Sequence, residues 1–131
     1  MALLLNIDVP DVQEAERFYT RAFGLRVGRR FGLDFLELLG WPMPLYLLKK
    51  DMHTLGAGAD LRRYHRHWTP IHFDVVVEDL DAALARAVDA GAIVEQAPRR
   101  EPYGRLAMLA DPLGHGFCLV EFTAAGYDAL R

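Results

Sequence analysis

The stretch IHFDVVVEDLDAAL, residues 71 to 84, decides the fold because it contains a strand, a helix cap and the start of a helix in one short run. The apolar, β-branched segment reads as a strand that ends at Asp79, a residue type that accepts hydrogen bonds at helix N-termini. The continuation LDAALARAVDA has apolar residues at helical spacing, and Gly91 stands where the helix would stop. The stretch therefore predicts strand, cap and helix in succession.

The same plan occurs in the first part of the chain. LLLNIDV reads as a strand, Asp11 stands in the place of Asp79, and Glu14 follows three residues later in a capping-box-like spacing. A helical pattern then runs to Gly24. Three strand candidates follow each helix: LRVGRRF, LDFLELL and PLYLLKK in the first copy, and AIVEQAP, RLAMLAD and GFCLVEF in the second. The chain is thus predicted to be a tandem repeat of βαβββ units.

This repeat predicts an α+β fold. A four-stranded sheet with a helix on one face leaves its other face uncovered, so we expect the two modules to pair as curved mixed-sheet half-barrels around a cleft, with both helices outside. We expect one domain over 1–131, with module 1 at about 1–50, a linker at about 51–68, module 2 at about 69–123 and a tail at 124–131. The linker is Gly-rich and polar, and one helical turn around ADLRRY is predicted there.

Composition narrows the function classes. About half of the 131 residues are hydrophobic and the formal net charge is −3, which does not favour a nucleic-acid partner. No apolar run approaches the roughly 18 residues of a membrane span, and the N-terminus lacks the pattern of a signal peptide. Cys118 is the only cysteine, so an internal disulfide is excluded. We therefore expect a cytoplasmic protein with neither a nucleic-acid nor a membrane partner.

Several of these features together resemble a known family. They are the duplicated βαβββ plan, the V-x-D opening of each helix, and the ending PYGRLAMLADPLGHGFCLVEF with its D-P-x-G turn. The chain resembles the vicinal oxygen chelate superfamily, which includes glyoxalase I, extradiol dioxygenases, methylmalonyl-CoA epimerase and the fosfomycin- and bleomycin-resistance proteins. The resemblance covers nearly the whole chain and implies the fold; it leaves the activity open because this fold hosts many chemistries.

The resemblance also implies four positions for metal ligands, usually His, Gln or Glu. Counting from the helix-capping aspartates gives His72 in module 2, which matches, and Leu4 in module 1, which cannot coordinate. Counting from the D-P-x-G turn gives Cys118, and the remaining position falls near Tyr46. Such a set is poor for hard ions such as Mn²⁺ or Mg²⁺, although a softer ion is conceivable for His, Cys and Tyr donors. His72 is therefore the single suggested metal ligand, and no obligatory cofactor is expected.

The remaining candidates are expected to line a ligand pocket. Asp74 and Asn6 occupy equivalent inward-facing positions of the two modules, and buried polar side chains there need partners or water. Tyr103 could stack on a planar ligand or plug the end of a sheet. Arg105 could face an anionic group or be a surface charge. The full predicted pocket set is Asn6, Tyr46, His72, Asp74, Tyr103, Arg105 and Cys118.

Two functions are compatible with these residues. The first is a small protein, expected to be a homodimer, that binds an aromatic or amphipathic organic molecule in the cleft without an obligatory metal, as the drug-binding branch of the family does. The second is a divalent-metal-dependent lyase, isomerase or dioxygenase of glyoxalase type that uses His72, which would also be its catalytic residue.

Overall fold

A computed structural model describes all 131 residues and contains two compact units, Met1–His65 and Arg66–Arg131. In the first unit the elements are β1 (Leu5–Val9), α1 (Val12–Phe23), β2 (Arg26–Arg30), β3 (Phe35–Leu39), β4 (Leu45–Lys49), β5 (Leu55–Ala57) and β6 (Asp60–Leu61). In the second they are β7 (Phe73–Val76), α2 (Leu80–Ala90), β8 (Ile93–Glu101), β9 (Gly104–Ala110), β10 (Gly116–Phe122) and a short 3₁₀-helix (Gly126–Leu130). The α+β class and the repeated βαβββ order are confirmed.

Both helices begin at the predicted caps. The Oδ1 atom of Asp11 accepts a hydrogen bond from the backbone N–H of Glu14 at 3.0 Å, and Asp79 accepts one from Ala82 at the same distance. Each cap satisfies one of the N–H groups that a helix N-terminus leaves without an intrahelical partner. At the other end of α1, Gly24 has a φ of 66°, a left-handed conformation that glycine adopts without steric cost.

The two main sheets have the same topology. The strand order is β1-β4-β3-β2 in the first unit and β7-β10-β9-β8 in the second, with one parallel pair, β1 with β4 or β7 with β10, and antiparallel pairs elsewhere. One face of each sheet packs against the helix of its own unit. Because side chains alternate between faces, every second residue of each strand lies on the face that the helix leaves open.

The helix-covered faces form the two cores. In the first unit α1 buries an apolar face against sheet residues that are at most 1% exposed: Leu36, Leu38, Leu45 and Leu47. In the second unit the corresponding residues under α2 are Ala107, Leu109, Phe117 and Leu119. Neither helix is both long and apolar enough to cross a membrane.

The predicted helical turn around ADLRRY is wrong. Residues of that segment belong to a two-stranded hairpin, β5 with β6, that reverses direction at Gly58, whose φ is 57°. The segment is tied to the first unit, because the Arg62 guanidinium donates to Asp8 at 2.9 Å and the Tyr64 hydroxyl donates to the Lys50 carbonyl at 2.8 Å. The glycine-rich composition allowed a reversal, and these long-range bonds fix an extended form instead of a helix.

Candidate functional site

Three polar side chains come together on the open face of the second sheet. Asp74 on β7 lies directly beside Cys118 on β10 in the parallel register, and His72 immediately precedes β7. The Nε2 atom of His72 lies 3.3 Å from Oδ1 of Asp74. One donor atom from each of His72, Asp74 and Cys118 lies within 4.8 Å of the other two. The structure thus brings together three of the residues that the sequence nominated for a pocket.

The His72–Asp74 pair is accessible. The two side chains are 58% and 35% exposed, so water reaches both. A histidine beside a carboxylate could hold or move a proton, or accept a hydrogen bond from a ligand, depending on its protonation state. The pair therefore offers polar anchoring groups at the β7 edge of the open face.

The thiol of Cys118 is expected to be unreactive. It is only 6% exposed, and burial, followed by the negative charge of Asp74, raises the pKa of its thiol to about 11. At neutral pH the thiol is therefore protonated, whereas the nucleophilic and metal-binding form of cysteine is the thiolate. This environment is that of a buried structural cysteine.

The three donors fit a metal only in part. Imidazole, thiolate and carboxylate suit an ion such as Zn²⁺, which is bound by three protein ligands in catalytic sites, better than Mg²⁺ or Mn²⁺. An ion would have to displace the proton from Cys118, against the burial that raises its pKa. The donor chemistry thus suits a borderline ion such as Zn²⁺ better than a hard ion.

In the first unit, the positions that correspond to His72, Asp74 and Cys118 carry different residues. Tyr46 lies beside Asn6 in the parallel register, as Cys118 lies beside Asp74, and Leu4 precedes β1 as His72 precedes β7. Leu4 is 53% exposed and offers no donor atom. The register therefore shows that Tyr46 and Cys118 occupy corresponding places in the two units.

Tyr46 takes part in a network that the sequence reasoning missed. Its hydroxyl donates a 2.7 Å hydrogen bond to Oε2 of Glu37 on β3, and Arg29 on β2 donates to the same carboxylate from Nη2 at 2.6 Å and from Nε at 3.0 Å. Glu37 is 5% exposed and Tyr46 is 8% exposed. Bonds from Arg29, then from Tyr46, lower the pKa of Glu37 to about 2, and the bond to Glu37 raises the pKa of Tyr46. The open face of the first sheet thus carries a fixed Arg–Glu–Tyr group.

One sequence signal could have revealed this group. Glu37 is the only charged residue inside the apolar run FLELL of β3, and a charged side chain within a central strand is costly unless it is paired. Its partners could not be read in the same way, because Arg29 is one of four arginines in the stretch from Arg21 to Arg30.

Tyr103 contacts other aromatic side chains of the second unit. Tyr103 packs against Phe122 and Tyr127 with ring centroids 6.2 and 5.1 Å away, and burial raises the pKa of its hydroxyl. It is part of an aromatic group at the end of the second sheet.

Arg105 lies on the helix-covered face. It pairs with Glu121 in the β9–β10 register, and its guanidinium donates to the Asp81 carboxylate of α2 at 2.9 and 3.0 Å. Met108, three residues further on, pairs with Cys118 on the other face. The prediction that Arg105 lines the same pocket as Cys118 therefore needs correction, because strand alternation turns its side chain toward the helix.

The D-P-x-G turn has a structural role. Asp111 is 1% exposed, and its Oδ1 accepts from the backbone N–H groups of Leu113 and His115 at 2.8 and 2.9 Å. Oδ2 lies 2.8 Å from Nδ1 of the His115 ring. These bonds fix the turn between β9 and β10 and thereby the register that brings Cys118 beside Asp74.

Comparison with known proteins gives a consistent picture. The model of a glyoxalase-like domain matches residues 5–120. An uncharacterized protein of Mycobacterium bovis is 31% identical over 126 residues, which span 90% of this chain and 81% of that protein.

Solved structures share the fold. TnmS3, an antibiotic-binding protein from Streptomyces sp. CB03234, superposes with a TM-score of 0.64 at 24% identity, over 94% of this chain and 96% of that one. FosX, a fosfomycin resistance protein from Listeria monocytogenes solved with Mn(II), superposes with a TM-score of 0.69 at 17% identity, over 95% and 91% of the two chains.

Proposed function

Since this chain belongs to the glyoxalase-like domain family, we propose that it binds a small organic molecule, aromatic or amphipathic in character, without an obligatory metal. We also propose that the protein is a cytoplasmic homodimer and that it has neither a nucleic-acid nor a membrane partner. The antibiotic-binding description of TnmS3 supports the ligand class, since that protein has the same fold. The predicted cleft between the modules stays a prediction.

The proposal rests mainly on the chemistry of the four residues at the positions where the family resemblance implies metal ligands. Leu4 has no donor atom, the Tyr46 hydroxyl donates to Glu37, and the Cys118 thiol is protonated at neutral pH. Of the four residues, only His72 is of a type that the family usually uses as a metal ligand. Shape, stacking surfaces and a few polar anchors are sufficient for binding an organic molecule, and the open faces provide them.

The second sheet offers the mixture of surfaces that such a ligand requires. Val76 and Met108 lie on the same face as Asp74 and are 60% and 37% exposed. His72 and Asp74 supply hydrogen-bonding groups among these apolar side chains. An amphipathic molecule could cover the apolar residues while its polar groups meet the His72–Asp74 pair.

The competing function is a metal-dependent enzyme of glyoxalase type. It is favoured by one observation, the approach of His72, Asp74 and Cys118 to within 4.8 Å of one another. In such an enzyme these residues would hold the ion, and the ion would supply Lewis-acid polarisation of substrate oxygens. Asp74 would then replace the carboxylate that the family usually places at the Cys118 position.

Metal analysis of protein purified without chelator tests the choice between metal-free ligand binding and a metal-dependent enzyme. We expect substoichiometric metal, no rise in melting temperature with Zn²⁺, Ni²⁺, Mn²⁺ or Fe²⁺, and no difference between wild type, H72A and the control H67A. Stoichiometric metal that is lost in H72A but kept in H67A would overturn the metal-free proposal and favour the metal-dependent enzyme. For binding, we expect a panel of aromatic antibiotics to include compounds that raise the melting temperature by mass action. A panel with no such compound would contradict the binding proposal.

A further inference from the structure

Arg29 occupies a β-bulge on the open face of the first sheet. Val27 pairs with Leu38 and Arg30 pairs with Leu36, so Gly28 and Arg29 together oppose the single residue Glu37. A bulge leaves one backbone N–H outside the ladder and re-aims the side chain beside it. Here the Arg29 N–H donates to Oε1 of Glu37 at 3.2 Å, so the carboxylate completes the backbone hydrogen bonding of the bulge.

Gly28 makes room for this arrangement. A Cβ atom at this position would lie 2.6 Å from Oε1 of Glu37, closer than side-chain carbons approach an oxygen. The absence of a side chain at Gly28 therefore allows the carboxylate to reach the bulge. Glu37 accepts four hydrogen bonds there, from the backbone N–H, Nε and Nη2 of Arg29 and from the hydroxyl of Tyr46.

The Arg29 guanidinium is fixed on one edge and open on the other. Nε and Nη2 are used by Glu37, and Nη2 also approaches the Tyr46 hydroxyl at 3.2 Å. Nη1 has no hydrogen-bond partner in the protein, and the Arg29 side chain is 65% exposed while that of Glu37 is 6% exposed. A buried carboxylate thus orients a donor toward solvent, and little side-chain entropy remains to be lost when Nη1 binds something.

Aromatic rings surround this donor. The Arg29 guanidinium carbon lies 5.3 Å from the centre of the Phe31 ring, Phe31 lies 4.7 Å from Phe35, and Phe35 lies 5.4 Å from Tyr46. Phe31 is 43% exposed. The surface combines a planar cation with the accessible ring of Phe31, which favours a flat aromatic molecule that stacks on both.

We infer that Arg29 anchors a ligand on the open face of the first sheet by donating a hydrogen bond from Nη1 to an acceptor oxygen, a carbonyl or phenolic oxygen, on a planar aromatic molecule that stacks beside Phe31. The inference rests on the proposed function and names the ligand chemistry for it. Glu37 and Tyr46 act as positioning residues, since they hold the guanidinium without meeting the ligand.

The net charge of the Arg29–Glu37 pair further restricts the class of ligand. Arg29 and Glu37 together carry no net charge, so the site lacks the unpaired cation that a phosphonate or phosphate would require. A neutral or weakly acidic oxygen can accept a hydrogen bond from the solvent-facing Nη1–H group without needing an unpaired cation. We therefore expect oxygenated aromatic molecules to bind better than aliphatic anions.

Two flat probes of similar size isolate the hydrogen bond. 1,4-Dihydroxyanthraquinone carries carbonyl and phenolic oxygens, and anthracene carries none, so only the first can accept from Nη1. Hydrogen bonds from charged groups are stronger than those between neutral groups, so we expect R29Q to lower the affinity for dihydroxyanthraquinone about tenfold or more relative to the affinity for anthracene. Probe fluorescence in equilibrium titrations measures both affinities.

Two further variants keep the experiment interpretable. R29Q leaves the buried Glu37 carboxylate without its cation and could reduce folding, so R29Q/E37Q removes both charges and is measured in parallel. R30Q is the matched control, because the Arg30 guanidinium pairs with Glu16 of α1 on the helix-covered face. We expect R29Q/E37Q to show the same selective loss as R29Q, and R30Q to bind both probes as wild type does.

The outcomes separate the two proposals. Equal binding of dihydroxyanthraquinone by wild type and R29Q/E37Q overturns the role of Arg29 and leaves the proposed function standing. An equal loss in R30Q also overturns it, because the effect would then be one of general surface charge. A wild-type protein that prefers inorganic phosphate or binds neither probe overturns the inferred ligand class, and the proposed function is then decided by its antibiotic panel.

Discussion

At the scale of single residues, Glu37 is the group whose charge depends most on its surroundings. Its carboxylate accepts four hydrogen bonds from two residues, Arg29 and Tyr46, and none of its lone pairs needs water. This is how a charged side chain is accommodated in the middle of an apolar strand. The same bonds stabilise the ionised form and lower its pKa to about 2.

Replacement of this carboxylate is expected to change the pH dependence of stability. Because the pKa of Glu37 is lower in the folded protein than in the unfolded chain, the group stabilises the fold above about pH 4.5, and this contribution is lost as the pH falls toward about 2. E37Q should therefore be less stable than wild type at about pH 7, and the difference should narrow at about pH 3. Urea unfolding followed by circular dichroism measures it.

The exposed Glu78 provides the control. E78Q should differ little from wild type at either pH, because surface substitutions usually change the free energy of unfolding by less than about 0.5 kcal/mol. A difference between E37Q and wild type that stays constant from neutral to acid pH would show that Glu37 has the same pKa in the folded protein and in the unfolded chain, so that the bonds from Arg29 and Tyr46 do not favour its ionised form.

At the scale of elements, the repeated strand, cap and helix is the unit from which both halves are built. The aspartate cap fixes where each helix begins. His72, which immediately precedes β7, would be displaced if that strand shifted. The second cap is supported by a further acceptor, since Oε2 of Glu121 accepts from the backbone N–H of Leu80 at 2.7 Å. The N-terminus of α2 therefore has two side-chain acceptors, and that of α1 has Asp11.

Removal of either N-cap should destabilise the protein. Loss of an N-cap typically costs about 1 kcal/mol, so D11A and D79A should each lower the free energy of unfolding by about that amount. D79A should cost no more than D11A, because Glu121 still satisfies part of the α2 N-terminus. Chemical unfolding gives both values, with Q13A at an exposed position of α1 as the control. A much larger loss in D79A would show that Glu121 provides no compensation.

Elements were predictable to different degrees for physical reasons. The helices and their caps depend on neighbours within one turn, and the sequence contains those neighbours. The hairpin of β5 and β6 was not predicted, because its conformation depends on bonds from Arg62 and Tyr64 to residues of β1 and the end of β4. Short polar segments of this kind take their structure from long-range contacts.

At the scale of the whole molecule, the open face of the second sheet exposes apolar side chains. Val76 and Met108 lie on this face beside the His72 cluster, and such patches on small proteins usually mark a binding or assembly surface. This exposure is compatible with the ligand binding proposed above and also with the proposal that the chain forms a homodimer.

We expect light scattering to give a mass of about twice 14.8 kDa. The variant M108D should lower the dimer fraction if the open sheet face contributes to assembly, because a charge in an apolar interface is costly. V88D places the same charge at an exposed apolar position of α2 and should leave the mass unchanged. A monomeric wild-type protein at all concentrations would contradict the proposal.

The sequence by itself determined the repeat, the two helices with their caps, the D-P-x-G turn and the place of His72, because each depends on local spacing. Strand alternation also nominated Asp74, and the family resemblance nominated Cys118. The tertiary structure alone decided that Arg29, Glu37 and Tyr46 form one group and that Arg105 turns toward α2. Those outcomes depend on which strands are neighbours, on their register and on a bulge at Gly28, and no local pattern contains that information.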